Sequence, residues 1–175
     1  MESGKVKKKG MGSHQSSAMI KDEWLTPPSL LNRLGEFDLD PCAPVTRPWP
    51  TANNHYTIEN NGLIQPWFGR VFCNPPYGKH AVEWLKKCSE HKNVTALVFA
   101  RTETKMFFEH VWPHAKAILF IKGRLHFHHS DGTRAKANAG APSVLIAYND
   151  HNAWLLKSSQ IEGAFISIKN KQYYV

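Results

Sequence analysis

Residues 72–78 read FCNPPYG, an asparagine, two prolines and a tyrosine directly behind an apolar run. Proline has no N–H to give a sheet ladder, so the strand approaching through residues 70–73 must stop at Asn74. What flanks this stop decides the fold class. Downstream, residues 79–90 put Val82, Leu85 and Cys88 on one helical face. Residues 95–100 form a continuous apolar run between Asn93 and Arg101, the pattern of a strand buried on both sides. A helix is expected over 104–112, and strands over 117–122 and 142–148. Upstream, Thr26 before Pro27 and Pro28 reads as a hydroxyl cap on a helix that ends at Gly35. Residues 37–40 then alternate as a short strand that stops at Pro41, and residues 42–67, rich in Pro and Asn, read as one long loop. Strands separated by single helices predict an α/β fold with a mostly parallel central sheet flanked by helices.

The 175 residues suit one domain, and 42% hydrophobic residues describe an ordinary globular chain. The longest apolar runs are too short to span a bilayer, and the lysine-rich start lacks the apolar core of a signal peptide, so a soluble intracellular protein is expected. Of the net charge of +8, five Lys against one Glu place +4 in residues 1–21. Residues 1–18 are expected to be a basic disordered tail, suited either to solvation or to non-specific phosphate contact, ahead of a single domain over 19–175. Cys42, Cys73 and Cys88 show no CxxC spacing, and Pro113 interrupts His110 and His114, so no metal site is expected. Residues 130–140, SDGTRAKANAG, read as a mobile surface loop whose Arg134 and Lys136 suit phosphate contacts.

In open α/β sheets, ligands bind beyond the carboxyl ends of the strands, which is where Asp40-Pro41-Cys42 and Asn74-Pro75-Pro76-Tyr77 both fall. The Asn74 side-chain oxygen and the Pro75 carbonyl are two acceptors at one spot, a match for a group with two N–H donors. Tyr77 adds a flat face for a planar ring. An exocyclic amine on a heteroaromatic ring has both features. Hydrogen bonds from its two N–H groups to fixed oxygens localise the nitrogen lone pair and make it a nucleophile without a strong base. Alone, an NPPY tetrapeptide is often only a turn. Here it follows a strand, precedes a helix and faces a second strand end.

These residues resemble the amino-methyltransferases that carry an Asp, Asn or Ser followed by Pro-Pro and an aromatic residue. More closely, WLTPPSLLNRL, FDLDPCA, YTIENNGL, NPPYG, ARTETKMFF, GRLHF and APSVLIAY, in that order over residues 24–148, resemble the phage-type DNA N6-adenine methyltransferases. The resemblance implies a Rossmann-like class I fold and transfer of a methyl group from S-adenosylmethionine to N6 of adenine in DNA. It implies that Asn74, Pro75, Pro76 and Tyr77 hold the target adenine. It places Asp40, Pro41 and Cys42 beside the donor, Thr26 and Pro27 at the donor's methionine end, Glu59 at its ribose and Asn61 at its adenine. Arg101 and Arg124 are implied as phosphate or base contacts. The chain departs from the family in two places: DPCAP carries no glycine, and Asn61-Gly62-Leu63 stands where Asp-Gly-Leu is common. N4-cytosine in DNA, adenine in RNA, a glutamine amide, or an idle nucleic-acid-binding module on the same fold are the alternatives. No separate recognition domain fits the length, so specificity is expected to rest on loops 43–67 and 130–140. No obligate protein partner is evident, and the expected location is the cytoplasm, that of the host if a phage encodes the chain.

Overall fold

The computed structural model describes residues 24–78 and 80–169; the basic segment 1–18 lies outside them. In chain order the elements are α1 (Pro28–Leu34), β1 (Leu39–Asp40), β2 (Asn54–His55), β3 (Val71–Cys73), α2 (Ala81–His91), β4 (Val94–Phe99), α3 (Lys105–His110), β5 (Ala117–Ile121), β6 (Ser143–Ala147), α4 (Asp150–Ser158) and β7 (Gly163–Ser167). One mixed sheet joins all seven strands in the order β2-β1-β3-β4-β6-β5-β7. β1 pairs in parallel with β2 and β3, and β3 with β4. β6 then inserts antiparallel between β4 and β5, and β7 runs antiparallel to β5 at the edge.

The parallel expectation therefore needs correction on half of the pairings. Five strands point one way, but the segment at 142–148 runs against its neighbours. An apolar strand buried on both faces carries no mark of its direction. β2 also lies inside the stretch read as loop, and α4 and β7 fill the tail of the chain.

Side chains alternate across the sheet, as the strand period of two requires. Val71, Cys73, Ala96, Val98, Ile118 and Ile146 pack on one face with Trp84 and Leu85 of α2 and Phe107 of α3. Phe72, Leu97, Leu119 and Leu145 pack on the other with Leu30, Leu31 and Leu34 of α1 and Leu156 of α4. The result is three layers, helix on sheet on helix.

A buried polar network ties α1 to α4 beneath this second face. The Arg70 guanidinium donates to the carbonyls of Leu34 (2.8 Å) and Glu36 (2.6 Å) and to Asn152 Oδ1 (2.7 Å). Its cation lies 4.0 Å from the Phe37 ring centroid. Burial lowers its pKa to about 10, so it stays charged at neutral pH. Asn152 is itself fully used, accepting also from Thr95 and donating to Asn93 and Asn149. Arg70→Met keeps the stem but takes the donor from the Leu34 and Glu36 carbonyls and leaves Asn152 Oδ1 with Thr95 alone, and the expected loss is about 3 kcal/mol, read as a lower midpoint in urea unfolding.

Candidate active site

The chain steps from β1 outward to β2, then crosses back to β3 and outward the other way to β4. That reversal opens a crevice between the carboxyl ends of β1 and β3, where open α/β sheets bind ligands. A cavity of about 480 Å³ occupies it. Thr26, Asp40, Pro41, Cys42 and Asn61 line it, and so do Asn74, Pro75, Pro76 and Tyr77. The two strand ends singled out in the sequence thus share one chamber. Trp24, Thr51, Ile58 and Trp84 complete its walls without having been singled out.

Asp40 ends β1 and is nearly inaccessible, at 3%. Its carboxylate accepts from the Cys42 N–H (3.0 Å) and from the Thr51 hydroxyl. Burial nevertheless dominates and raises its pKa to about 6. Thr51 is held in place by His55, whose Nε2 accepts the backbone N–H groups of Thr51 and Ala52, each at 3.3 Å. Burial lowers the His55 pKa to about 4, so it is the neutral acceptor this arrangement requires. The Cys42 and Cys73 sulfurs lie 3.8 Å apart, and burial pushes both thiols well up, which keeps them protonated.

The opposite rim is a loop built around a glycine. A Cβ at Gly62 would collide with the Pro41 carbonyl oxygen and stand 2.9 Å from its carbon. Gly62 thus brings its backbone directly against Pro41, next to the end of β1. Lys87 of α2 fastens this loop: its ammonium donates to the carbonyls of Gly62 (3.2 Å), Leu63 (2.6 Å) and Gln65 (2.6 Å). All three ammonium hydrogens are used, which removes Lys87 from the cations free to meet a phosphate. Ile58, on the same loop, is 84% exposed although it lines the cavity, an apolar side chain with nothing yet packed over it.

Asn74 follows β3 directly. Its Nδ2 donates to the Trp24 carbonyl and to the Thr26 hydroxyl oxygen, each at 3.3 Å. Its Oδ1 is buried and has no partner, and the Pro75 carbonyl accepts no hydrogen bond among the described residues. The buried Asn74 oxygen thus lacks an N–H donor, and the carbonyl of the adjacent Pro75 is a second acceptor left unused. The Tyr77 ring stacks on Phe99, with centroids 4.1 Å apart and planes 5° from parallel, and its hydroxyl is also buried without a partner. One face of the expected stacking platform is thus already covered by the protein.

The Thr26 hydroxyl does not cap α1 as its position before two prolines predicts. Pro27 takes the cap position and no side chain caps the helix. Pro27 and Glu59 do not line the cavity, and Glu59 is exposed. Arg101 lies on a second cavity behind Pro75, Tyr77 and Phe99; no ion pair joins it to Glu103 among the described residues. Arg124 donates to the Ala139 carbonyl at 3.2 Å, and Arg134 and Lys136 are exposed away from both cavities. The segment 130–140 is more anchored than expected, since Ala135 and Ala139 donate to the carbonyls of Phe127 and Leu125 and both are buried. Among the described residues no three His, Cys, Asp or Glu side chains gather to hold a metal, and no helix is long and apolar enough to cross a membrane.

A family model described as DNA N-6-adenine-methyltransferase (Dam) matches residues 13–174. No curated protein and no solved structure matches the chain.

Proposed function

The chain belongs to the DNA N6-adenine methyltransferase family, and we propose that the cavity between Asp40 and Asn74 is where it carries out that reaction with S-adenosylmethionine as donor. The single observation that carries this reading is the buried, unpartnered Asn74 Oδ1, beside Pro75 on a cavity that also reaches the end of β1. The sheet order supports a Rossmann-like class I fold for the described residues, within a proposed single domain of residues 19–175 that follows the basic segment 1–18. The site lies at the reversal of strand order, where such sheets bind nucleotides.

The residues fit the donor. Asp40 offers a carboxylate to its cationic end, Ile58 an uncovered apolar surface to its adenine, and Asn61 and Gly62 a rim of backbone. When bound, the donor supplies an electrophilic methyl on a sulfonium. The rest is done by the chain. Target adenine must leave the base stack, because its amine is unreachable inside a duplex. Asn74 Oδ1 and the Pro75 carbonyl each accept one N–H, and the nitrogen lone pair turns toward the methyl. Tyr77, braced by Phe99, offers its remaining face to the base. Asn74 Oδ1 and the Tyr77 hydroxyl are both screened from water in the free protein, so the segment from Pro75 to Gly78, beyond the Asn74 amide held by Trp24 and Thr26, must shift to admit the base. Gly78 suits a pivot, with φ of +105° and nothing near its missing Cβ. Arg101 and the exposed Arg124, Arg134 and Lys136 are the cations proposed to meet phosphates. The reaction belongs in the cytoplasm that holds the DNA, that of the host cell if a phage encodes the chain.

Incubation with methyl-labelled donor and DNA, followed by digestion to nucleosides, tests the assignment. Label in N6-methyladenosine's deoxy form is expected; label in N4-methylcytosine or only in RNA contradicts it.

The raised pKa of Asp40 sets a pH dependence. The donor carries net positive charge, so it favours the ionised carboxylate. Donor affinity is expected to be full above about pH 6 and to fall by up to about tenfold per unit below it, as calorimetry from pH 5 to 8 would read. Fold stability moves the opposite way. The folded protein holds this proton more tightly than the unfolded chain, so the contribution is present in acid and lost as pH rises from 3.8 through about 6. Asp40→Asn should flatten both curves.

A further inference from the structure

Resting on this reading of the cavity, we propose that Thr26 is a positioning residue and not a donor contact. Its hydroxyl oxygen and the Trp24 carbonyl take the amide hydrogens of Asn74, leaving Oδ1 to join the Pro75 carbonyl as acceptors for the base nitrogen and making asparagine, not ionised aspartate, the residue this site requires.

The polarity of the clamp follows from its two partners. A backbone carbonyl only accepts, so Trp24 dictates that the amide nitrogen faces it at 3.3 Å. A flipped amide would set oxygen against oxygen. The Thr26 hydroxyl, able to donate or accept, follows suit and accepts the other contact at 3.3 Å. Thr26 is 2% exposed, so this contact is shielded from competing water. Its position is fixed from behind, since the Trp49 indole donates to the Thr26 carbonyl at 3.2 Å. The result is an amide whose two ends are assigned before any substrate arrives, which is preorganisation in the sense that matters for transition-state stabilisation.

Aspartate is an accepted residue at this point of the amino-methyltransferase motif, yet here an ionised carboxylate would place a negative oxygen against the Trp24 carbonyl. A protonated carboxyl would not. Its O–H would donate to Trp24 while its C=O accepted from the base, reproducing the amide. Asn74→Asp should therefore recover as pH falls. The titratable groups around Asn74 are Asp40, Cys42 and Tyr77 in the same cavity, Cys73 next in the chain, His129 against the Trp24 ring, and His128 paired with Leu25. All are present in both proteins, so the ratio of variant to wild type at saturating donor reports the new carboxyl together with its coupling to these neighbours.

The test has two arms on the full chain. In the first, Thr26→Val is expected to lower kcat about tenfold with donor KM unchanged, and Thr26→Ser to restore it. Asn74→Asp is expected to fall at least about tenfold below wild type at pH 8, with the ratio rising toward pH 6. A rise in donor KM at intact kcat in Thr26→Val, or an Asn74→Asp variant equal to wild type at pH 8, overturns the clamp. In the second arm, the Asn74 side-chain N–H signals of the donor-free protein are followed by nuclear magnetic resonance. Slowed solvent exchange that is lost in Thr26→Val supports the clamp; unprotected signals in wild type overturn it. Because this arm needs no turnover, a wild type that methylates no DNA would sink the proposed function alone.

Discussion

Asn74→Ala should abolish methyl transfer while leaving donor binding in place. The substitution removes the unpaired Oδ1 and the Nδ2 that bonds to Trp24 and Thr26, and nothing else near Asp40. Losing one preorganised hydrogen-bond partner of a reacting centre costs about 10²–10³ in kcat. Here the loss should reach the upper end, because the Pro75 carbonyl alone cannot orient a nitrogen with two hydrogens. Donor affinity, set at the β1 end of the cavity, should stay within about twofold, since mutations without shared contacts act independently. Fold stability should change little, because removing the unpartnered buried Oδ1 offsets the loss of the two Nδ2 contacts. Single-turnover kinetics beside calorimetry separate these outcomes. A variant retaining a tenth of wild-type turnover, or one that loses the donor as well, is inconsistent with the assigned role.

Gly62→Ala should act on the other partner. The added Cβ runs into the Pro41 carbonyl, which is backbone and has no rotamer to change. Either the 57–63 loop retreats or the end of β1 yields, and both line the donor side of the cavity. The Lys87 ammonium resists retreat by holding the carbonyls of Gly62, Leu63 and Gln65. Overpacking of this kind costs about 1–3 kcal/mol, which, taken from donor binding, converts to an affinity about 5- to 150-fold weaker. Turnover at saturating donor should suffer far less, because Asn74 and Tyr77 are untouched. An unchanged dissociation constant in calorimetry would show that this loop does not shape the donor site.

The parts of this account that were legible in the sequence are those with a local cause. Pro75 and Pro76 cannot continue a ladder, so the end of β3 was visible, and Gly35 marked the end of α1 by its left-handed φ of +78°. The central strands showed as apolar runs. What stayed hidden depends on contacts distant in the chain. β2 is only Asn54 and His55, neither buried, and exists because it pairs with β1. β7 shows little burial and is held by backbone pairing to β5. The direction of β6 leaves no trace in Ser143–Ala147, a strand buried throughout.

The site divides along the same line. Asp40 and Asn74 were found because each sits at a strand end with a polar group, whereas Thr51, His55 and Lys87 act through partners fixed only by the fold. Thr26 reads locally only as a helix cap, a hydroxyl before Pro-Pro, and enters the site through the resemblance alone; Pro27 takes the cap and the hydroxyl faces Asn74. The stacking of Tyr77 on Phe99 joins residues from the ends of two neighbouring strands, β3 and β4, and no spacing rule announces it.

The most direct measurement is a crystal structure of the protein with a non-reactive donor analogue and DNA carrying the target adenine. The adenine is expected out of the stack, with N6 at about 2.7–3.2 Å from both Asn74 Oδ1 and the Pro75 carbonyl and the analogue between Asp40 and the Gly62 loop. An adenine bound with its N6 away from Asn74, or an Asn74 Oδ1 still without a partner in that complex, would contradict it.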